Sequence, residues 1–518
     1  MTKRIFLIGM MVIAALMSCA QTMVYLERAQ NLSFDQERIA DAQILRGNVV
    51  FRHDDALMYC DSAFFYETTN SLDAFGHVRF VQGDTLKGYG DLLFYNGNTK
   101  LARMRRNVRL VHGRDAENPT VLTTDSLNYD RARGIAYYYT GGTVADSLNT
   151  LTSVRGQYIP DTKQALFSED VVLTNPNFVL TSDTLLYNTE TKIADLVSPT
   201  TVVYEQETTI HTSRGWYNTS NEQSMLLDRS LVEHTDGKSM TGDTIYYDKR
   251  IGFGKVLGRM EMRDSAQHAT LYGEYGQMYE ENSRGYATDS ALMVDWSDTA
   301  HIAYIHADTL FTEALHYTDS ALADSTYRRV RAYYGVRIYR DDMQMTCDSM
   351  VYLGSDSTIH LFKRPICWSE NQQISADSMV VYIVNGDVEH ATGAPNAICV
   401  MHDTIDLFNQ MSGKEIIAWL KDGEVHTIDV SGNALTIYYA KDEDDGSYVG
   451  MNTTESSFIR AYVKDRNIYR LRFTKETTGV LYPMDQIPKD GDRLTQFFWA
   501  DKVRPISPED VFRKIYDF

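Results

Sequence analysis

The sequence predicts an all-β fold built from stacked units of about thirty residues. A short apolar motif recurs at a nearly fixed spacing, and the segments between its copies alternate apolar and polar residues, as half-buried strands do. Hydrophobic residues make up 43% of the 518, which is enough for a large core. Because a unit of two or more short strands cannot bury its apolar face alone, neighbouring units must stack into an elongated, solenoid-like β structure.

The first twenty residues have the pattern of a secretory signal peptide. Lys3 and Arg4 precede an apolar run over residues 5–17, and small residues follow it. The run is shorter than the roughly twenty residues that a membrane-spanning helix needs. We therefore expect residues 1–20 to be removed on export. A loose lipoprotein-type box leaves lipidation of Cys19 as the alternative.

The recurring motif has the form Gly-x-Val-x-Phe. It begins at Gly47, returns at Gly76 and returns in altered form at Arg106, at spacings of 29 and 30 residues. Its two apolar positions lie two residues apart and so share one face of a strand. We expect these pairs and a weaker copy to line one interior, as an open apolar trough or as an ordinary dry core: Val49, Phe51, Val78, Phe80, Val108, Leu110, Val171 and Leu173.

A second motif, Asp-Ser/Thr followed by an apolar and an aromatic residue, lies between these copies. It is clear at Asp61 and Asp125, while Gly90 and Gly156 stand near the equivalent place in intervening units. Asp and Gly at one repeated position predict turns, since Asp bonds to its own backbone and Gly accepts positive φ. A calcium ladder or the cleft of a polysaccharide lyase is the alternative interpretation.

The C-terminal part has a different composition. Four prolines follow residue 482, and Ser507-Pro508 with two acids behind them predicts the start of a short C-terminal helix. We expect this segment to cap the open end of the structure. The predicted organisation is a signal peptide over 1–20, β repeats over 21–200 and 201–400, and C-terminal strands with a proline-rich capping segment over 401–518.

The sequence carries few signs of chemistry. Acidic residues outnumber basic ones by 70 to 50, and the net charge of −20 argues against nucleic-acid binding. The chain has no HExxH, no Gly-x-Ser-x-Gly and no nucleotide-binding glycine loop, so we predict a non-enzymatic protein without metal or cofactor. No pairing is assigned to the four cysteines beyond residue 20, which are Cys60, Cys347, Cys367 and Cys399.

The signal peptide and the two interleaved motifs resemble the OstA-like (organic solvent tolerance) group of lipopolysaccharide-transport periplasmic proteins. The resemblance is clearest over residues 23–200 and continues more faintly to about residue 400. It implies an open antiparallel β-jellyroll that carries lipopolysaccharide from the inner to the outer membrane. The chain is longer than the usual single-jellyroll bridge protein and is similar to the long Bacteroidetes-type form.

The resemblance implies a bridge in the periplasm, free or associated with the outer membrane and peripheral to both membranes, that holds the acyl chains of lipopolysaccharide in its trough. We expect residues 23–29, an unblocked edge, to add as a strand to other bridge proteins, and the capped end to add none. The acidic balance argues against a basic clamp for the headgroup. The alternative function is an exported glycan-binding or adhesion scaffold that uses a Tyr-rich outer face.

Overall fold

The computed structural model describes residues 22–35, 37, 39, 41–113, 119–281, 283–317, 325–404, 406–442, 444–465 and 467–514. The signal peptide predicted for residues 1–20, with Cys19, lies outside them. Strands account for most of the described chain, and its only helical elements are four short 3-10 turns. The all-β fold class is therefore confirmed. None of the helical turns in this part of the chain has the length or apolarity needed to cross a membrane.

The chain forms two compact units, the first ending at Ser230 and the second beginning at Leu231. The division falls within β19. The strands up to that point are β1 Tyr25–Arg28, β2 Asn31–Phe34, β3 Gln43–His53, β4 Ala56–Tyr66, β5 Ser71–Gln82, β6 Leu86–Asn96, β7 Leu101–His112, β8 Thr120–Asp130, β9 Ile135–Tyr138, β10 Gly142–Ala145, β11 Thr150–Ser153, β12 Arg155–Ile159, β13 Gln164–Thr174, β14 Phe178–Asn188, β15 Ile193–Leu196, β16 Thr200–Tyr204, β17 Thr208–Thr212, β18 Arg214–Asn218 and β19 Gln223–His234.

The second unit continues in the same antiparallel manner. Its strands are β20 Lys238–Asp248, β21 Phe253–Asp264, β22 Ala269–Tyr279, β23 Arg284–Asp295, β24 Ala303–His316, β25 Thr326–Tyr339, β26 Gln344–Leu353, β27 Thr358–Phe362, β28 Ile366–Ser369, β29 Gln372–Ser375, β30 Ser378–Val384, β31 Asp387–Ala394, β32 Ala397–Thr404, β33 Leu407–Gly413, β34 Glu415–Lys421, β35 Glu424–Lys441, β36 Tyr448–Lys464, β37 Asn467–Thr474 and β38 Thr478–Pro483. The 3-10 turns are Lys249–Ile251, Met484–Gln486, Asp501–Val503 and Glu509–Phe512.

Each long strand of the first unit bends at a corner near its middle. In β3, β5 and β7 the corner is a β-bulge of two consecutive residues with positive φ, such as Gly47-Asn48 and Gly76-His77. An extra residue in one strand bends it and interrupts the pairing. The start of the Gly-x-Val-x-Phe motif is therefore the corner itself, and the apolar pair is the strand segment that follows it.

The corners divide the first unit into two facing layers. Layer 1 holds the strand segments 31–34, 43–46, 62–66, 71–75, 92–96, 101–105, 126–130, 135–138, 155–159, 164–168, 184–188, 193–196, 214–218 and 223–227; layer 2 holds 25–28, 49–53, 56–60, 78–82, 86–90, 108–112, 120–124, 142–145, 150–153, 171–174, 178–182, 200–204 and 208–212. We call the side opposite the corners, where the turns of the two layers face each other, the mouth.

The repeated Asp lies within a strand at the corner, so the turn interpretation is wrong. Asp61 sits in β4 between residues that pair with either side of the Gly47-Asn48 bulge. Its carboxylate lies 2.6 Å from Nδ1 of His77, a corner residue of the next strand. Asp91 likewise accepts a hydrogen bond from Asn107 at 2.7 Å. Each of these acids thus contacts a residue at the corner of the next strand, and the acids do not converge on one ion.

The segment after Pro483 first packs Met484, Ile487 and Leu494 on the core of the last long strands, β35 and β36, and then turns back along the second unit. Two fully buried glutamines hold its main chain: Gln410 bonds to Asp492 O and Leu494 N, and Gln373 bonds to Phe498 O and Ala500 N. The side chains of Phe497 and Trp499 pack on the cluster of Ile398, Val400 and Phe408. We call residues 484–514 the strap.

The predicted terminal helix is a single 3-10 turn, Glu509–Phe512. Ser507 caps it as expected, because its Oγ accepts a hydrogen bond from Asp510 N at 3.2 Å. The turn is held in place by Val511, which is fully buried.

Candidate functional site: the interior and mouth of the first unit

All eight residues predicted to line an interior are buried. Their exposed fractions run from 0% to 3%, and each lies on layer 2: Val49, Phe51, Val78, Phe80, Val108, Leu110, Val171 and Leu173. The first six belong to one apolar cluster. The structure thus brings the predicted residues into the interior of the first unit, and that interior is filled by side chains.

The opposite wall of the interior comes from layer 1. It is built by Leu72, Leu93 and Leu127, all at 0% exposure. Rings meet across the layers, with centroids of Phe51 and Phe65 5.4 Å apart and those of Phe80 and Tyr129 5.8 Å apart.

The layer 1 wall was not among the residues predicted from the sequence. The signal was present, because the Asp-Ser-Leu-x-Tyr motif contributes Leu127 and Tyr129 two positions apart on one strand face. The two motifs are the two walls of the same interior.

A row of tyrosines closes the interior toward the mouth. Tyr95, Tyr129, Tyr158 and Tyr187 stand at equivalent positions of layer 1 and are each at most 7% exposed. Each hydroxyl reaches a polar side chain of layer 2. The distances are 2.6 Å from Tyr95 to His53 Nδ1, 3.0 Å from Tyr129 to Gln82 Oε1, 2.7 Å from Tyr158 to His112 Nδ1 and 3.3 Å from Tyr187 to Asn149 Nδ2.

Charged side chains form a second row, directly outside the tyrosines. Lys100 Nζ lies 2.8 Å from Asp54 Oδ2, and Arg131 Nη2 lies 2.8 Å from Asp55 Oδ1. Lys192 Nζ contacts Asp146 Oδ2 at 2.5 Å. In each pair the cation belongs to a turn of layer 1 and the acid to a turn of layer 2, so the contacts join the two layers across the mouth.

A fourth contact has the same geometry with a different partner. Lys163 Nζ lies 3.1 Å from His112 Nε2, while the other ring nitrogen of His112 meets Tyr158. Burial, followed by the charge of Lys163, lowers the pKa of His112, although Asp161 opposes this. The imidazole is therefore neutral at pH 7 and can accept a hydrogen bond from the ammonium group.

The pKa shifts of the other titratable groups keep the acids of the mouth charged and its tyrosines neutral. The hydrogen bond from Lys100 lowers the pKa of Asp54. Burial alone would raise the pKa of Asp146, but Lys192 and two backbone N–H groups together lower it. Burial raises the pKa of Tyr129 and Tyr187 to about 12, so their hydroxyls stay neutral. At pH 7 the mouth is closed by charged pairs above a neutral hydroxyl row.

Groups suited to other chemistry lie elsewhere. The four described cysteines are free thiols, and burial raises the pKa of Cys60 and Cys399 to about 12, which makes them poor nucleophiles. Within the described residues, one cluster could hold a metal ion, formed by His301, Asp341 and Asp342. It lies in the second unit and includes no member of the repeated Asp row.

An open groove of about 710 Å³ runs along the corner of the first unit, opposite the mouth. Hydroxyl groups of Ser182, Thr200 and Thr212 line it, together with the carboxylate of Asp183 and the imidazole of His211. The hydroxyl groups are bonded to each other, as in the 2.9 Å contact between Ser182 and Thr200. Hydroxyl, carboxylate and imidazole groups therefore face this groove, whereas the interior is lined by apolar side chains.

The model of the OstA-like protein family matches residues 21–183. This confirms the resemblance inferred from the two motifs and places it on most of the first unit. The family is of a non-enzymatic, lipopolysaccharide-transport type and is periplasmic in Gram-negative bacteria. A search of curated proteins with the sequence finds no match.

Proposed function

We propose that the protein is a periplasmic bridge that binds lipopolysaccharide and passes it toward the outer membrane without catalysis. The observation that carries this proposal is the apolar interior of the first unit, enclosed by two layers and bounded on one side by a mouth. It lies in the part of the chain that matches the OstA-like family.

Energetics favour such a site for acyl chains. Each buried methylene contributes about 0.8 kcal/mol, so ten of them contribute about 8 kcal/mol without any polar contact. Phosphorylated sugars would remain at the mouth, in water. Because the interior is filled, the chains must displace side chains or part the two layers as they enter.

Site-specific photo-crosslinking in cells tests the proposal. A benzophenone amino acid at Phe80, on the inner face of β5, should capture lipopolysaccharide. The same amino acid at Arg79, the exposed neighbour that faces outward on the same strand, is the matched control. Equal capture at both positions, or none at Phe80 in a protein that still supports the outer membrane, would favour a dry core.

We also propose that the edge at residues 23–29 docks other bridge proteins by strand addition. Among the described residues β1 pairs only with β3, so its outer edge is open. Since Val24 N donates to Asn70 Oδ1 at 2.7 Å, proline at Val24 would disturb the monomer as well. Leu26 pairs with Phe51 and packs on the apolar cluster, so the test with the Leu26→Pro variant includes its unfolding midpoint. Unchanged co-purification of bridge partners with the Leu26→Pro variant would contradict this docking mode.

Among the residues described, the last strands of the second unit have unpaired edges, although the strap covers the apolar core beside them. In the part of the chain that the structure describes, β37 and β38 pair only with β36, and the strap leaves along another path. These edges can add a strand as β1 can, and proline substitutions in β37 give the matching test.

A glycan-binding scaffold is the second candidate function, and the polar groove along the corner favours it. The Tyr-rich outer face expected for this function is reduced, because the tyrosines of the mouth row are buried. Loss of the protein would then change attachment or sugar uptake and leave surface lipopolysaccharide intact. The transport function predicts loss of surface lipopolysaccharide and sensitivity to detergents.

A further inference from the structure

Four cations recur along one side of the mouth. Lys100, Arg131, Lys163 and Lys192 follow one another at intervals of 31, 32 and 29 residues, close to the repeat of the strands. Each lies in a turn between two layer 1 strands, so the four form a row along the mouth. We call them the cation row.

The cation row sits where the apolar interior ends. Arg131 has a side chain that is 3% exposed, its guanidinium carbon lies 6.0 Å from the ring centroid of Phe80, and its Nη1 donates to the hydroxyl of Tyr95. Lys192 and Lys100 are more open, with side chains 29% and 37% exposed. Acyl chains held against Phe80 would place their headgroup at this level.

The contacts that the cation row makes would be broken by opening. Asp54, Asp55, His112 and Asp146 all belong to layer 2, so parting the layers separates each cation from its partner. The need for a new anionic partner is greatest at Arg131, whose side chain is buried. Phosphate supplies several acceptor oxygens for such charge-assisted hydrogen bonds.

One hydroxyl of the mouth is already without a partner. Tyr217 continues the tyrosine row at the position after Tyr187 and is 4% exposed, yet its hydroxyl has no hydrogen-bond partner among the described residues. Buried hydroxyl groups are rarely left unpaired. Its donor is available to an acceptor that enters between the layers.

We infer that the cation row binds the phosphate groups of the lipopolysaccharide headgroup when acyl chains part the mouth. This rests on the proposed function and assigns the headgroup contacts, which the net charge of the chain had argued against. The acids of layer 2 hold the row closed in the absence of ligand. Entry of acyl chains and capture of phosphate are then one event.

Paired substitutions test the row, because they break the same contact from opposite sides. Lys192→Gln removes a cation, and we expect lipopolysaccharide binding to weaken about tenfold, as for one lost charged hydrogen bond. Asp146→Asn breaks the same ion pair but keeps the cation, so binding should be unchanged or tighter. Lys87→Gln, an exposed lysine on the outer face of β6, is the control for charge alone. Binding is measured with purified lipopolysaccharide, and unfolding midpoints confirm that each variant folds.

The outcomes separate this inference from the proposed function. If Asp146→Asn weakens binding as much as Lys192→Gln, the pair is only a structural clasp and the inference fails. Lipopolysaccharide stripped of its phosphates should bind the unchanged protein more weakly and be insensitive to Lys192→Gln. Full competition by inorganic phosphate alone would assign the row to free phosphate instead. If the unchanged protein binds neither form of lipopolysaccharide, it is the proposed function that fails.

Discussion

Truncation of Phe80 distinguishes a lipid trough from a dry core. Phe80 is 2% exposed, and its ring meets the edge of Tyr129 at 5.8 Å. Replacing a buried Phe by Ala costs about 3–5 kcal/mol, of which the aromatic pair contributes about 0.5–1.5 kcal/mol. Phe94→Ala removes a ring that is 38% exposed and should cost under about 1 kcal/mol.

The second arm of this experiment adds lipopolysaccharide. The space vacated by the ring of Phe80 can take about three or four methylene groups, worth about 2–3 kcal/mol. Bound ligand should therefore raise the stability of Phe80→Ala by that much more than it raises the stability of the unchanged protein. A urea titration, monitored by hydrogen exchange in peptides from β5 to β7, measures the stability of each protein with and without ligand. An equal ligand effect in the two proteins, with binding intact, would refute the trough.

Three other parts of the structure can be tested in the same way. Burial holds the pKa of His112 below its unfolded value of about 6.5, so the unfolded chain binds more protons than the folded chain as the pH falls below that value, and the stability of the first unit should drop from about pH 6.5 downward. His112→Asn should reduce the slope of the urea midpoint against pH in this range, and an unchanged slope would contradict the prediction. Gly76→Ala should lower the melting temperature more than Gly83→Ala does. Both glycines have positive φ, but only at Gly76 would the new Cβ meet a side chain, that of Asp61. Equal melting temperatures would show that φ alone matters. Gln373→Leu leaves two main-chain groups of the strap unpaired and should cost about 2–4 kcal/mol, with earlier proteolysis after residue 484 as the readout; wild-type protease resistance would show that the strap is held otherwise.

The inner wall of the fold could be predicted from the sequence because it follows from local geometry. Val49 and Phe51 share a face since side chains two apart always do in a strand, and the repeat fixed the same phase at Val78 and Phe80. The corner was harder. Gly47 was visible as a special residue, but whether it marked a turn or a bulge depends on the pairing with β4, which is a property of two strands.

The contacts across the mouth could not be predicted from local sequence patterns, for the same reason. Lys100 and Asp54 are 46 residues apart, as are Lys192 and Asp146, and His112 and Tyr158. This separation is about one and a half repeats, the offset between a layer 2 turn and the layer 1 turn that faces it. A search for complementary residues at that offset would have found two of the four contacts of the cation row, because Arg131 and Asp55 are 76 residues apart and Lys163 and His112 are 51 apart. The offset itself is known only from the two-layer arrangement.

The strap marks a different kind of limit. Ser507 gave a correct local cap, since capping involves neighbours in sequence. The destination of the segment depends on Gln373 and Gln410, whose amides bind its main chain and therefore leave no pattern in its side chains. Buried glutamines in strands are the one indication that sequence offers, and they do not say which segment they bind.

An acidic protein and an anionic ligand are compatible if charge acts locally. At physiological ionic strength the screening length is about 8 Å, so a phosphate at the mouth responds to the groups next to it and hardly to the net charge of −20. In the closed mouth those groups are balanced, because Lys100, Arg131 and Lys192 each face a carboxylate. Opening moves the carboxylates away with layer 2 and leaves the cations of layer 1 behind. The mouth therefore attracts phosphate only once acyl chains have parted it. A ligand that carries both acyl chains and phosphate is then preferred over a ligand that carries only one of them.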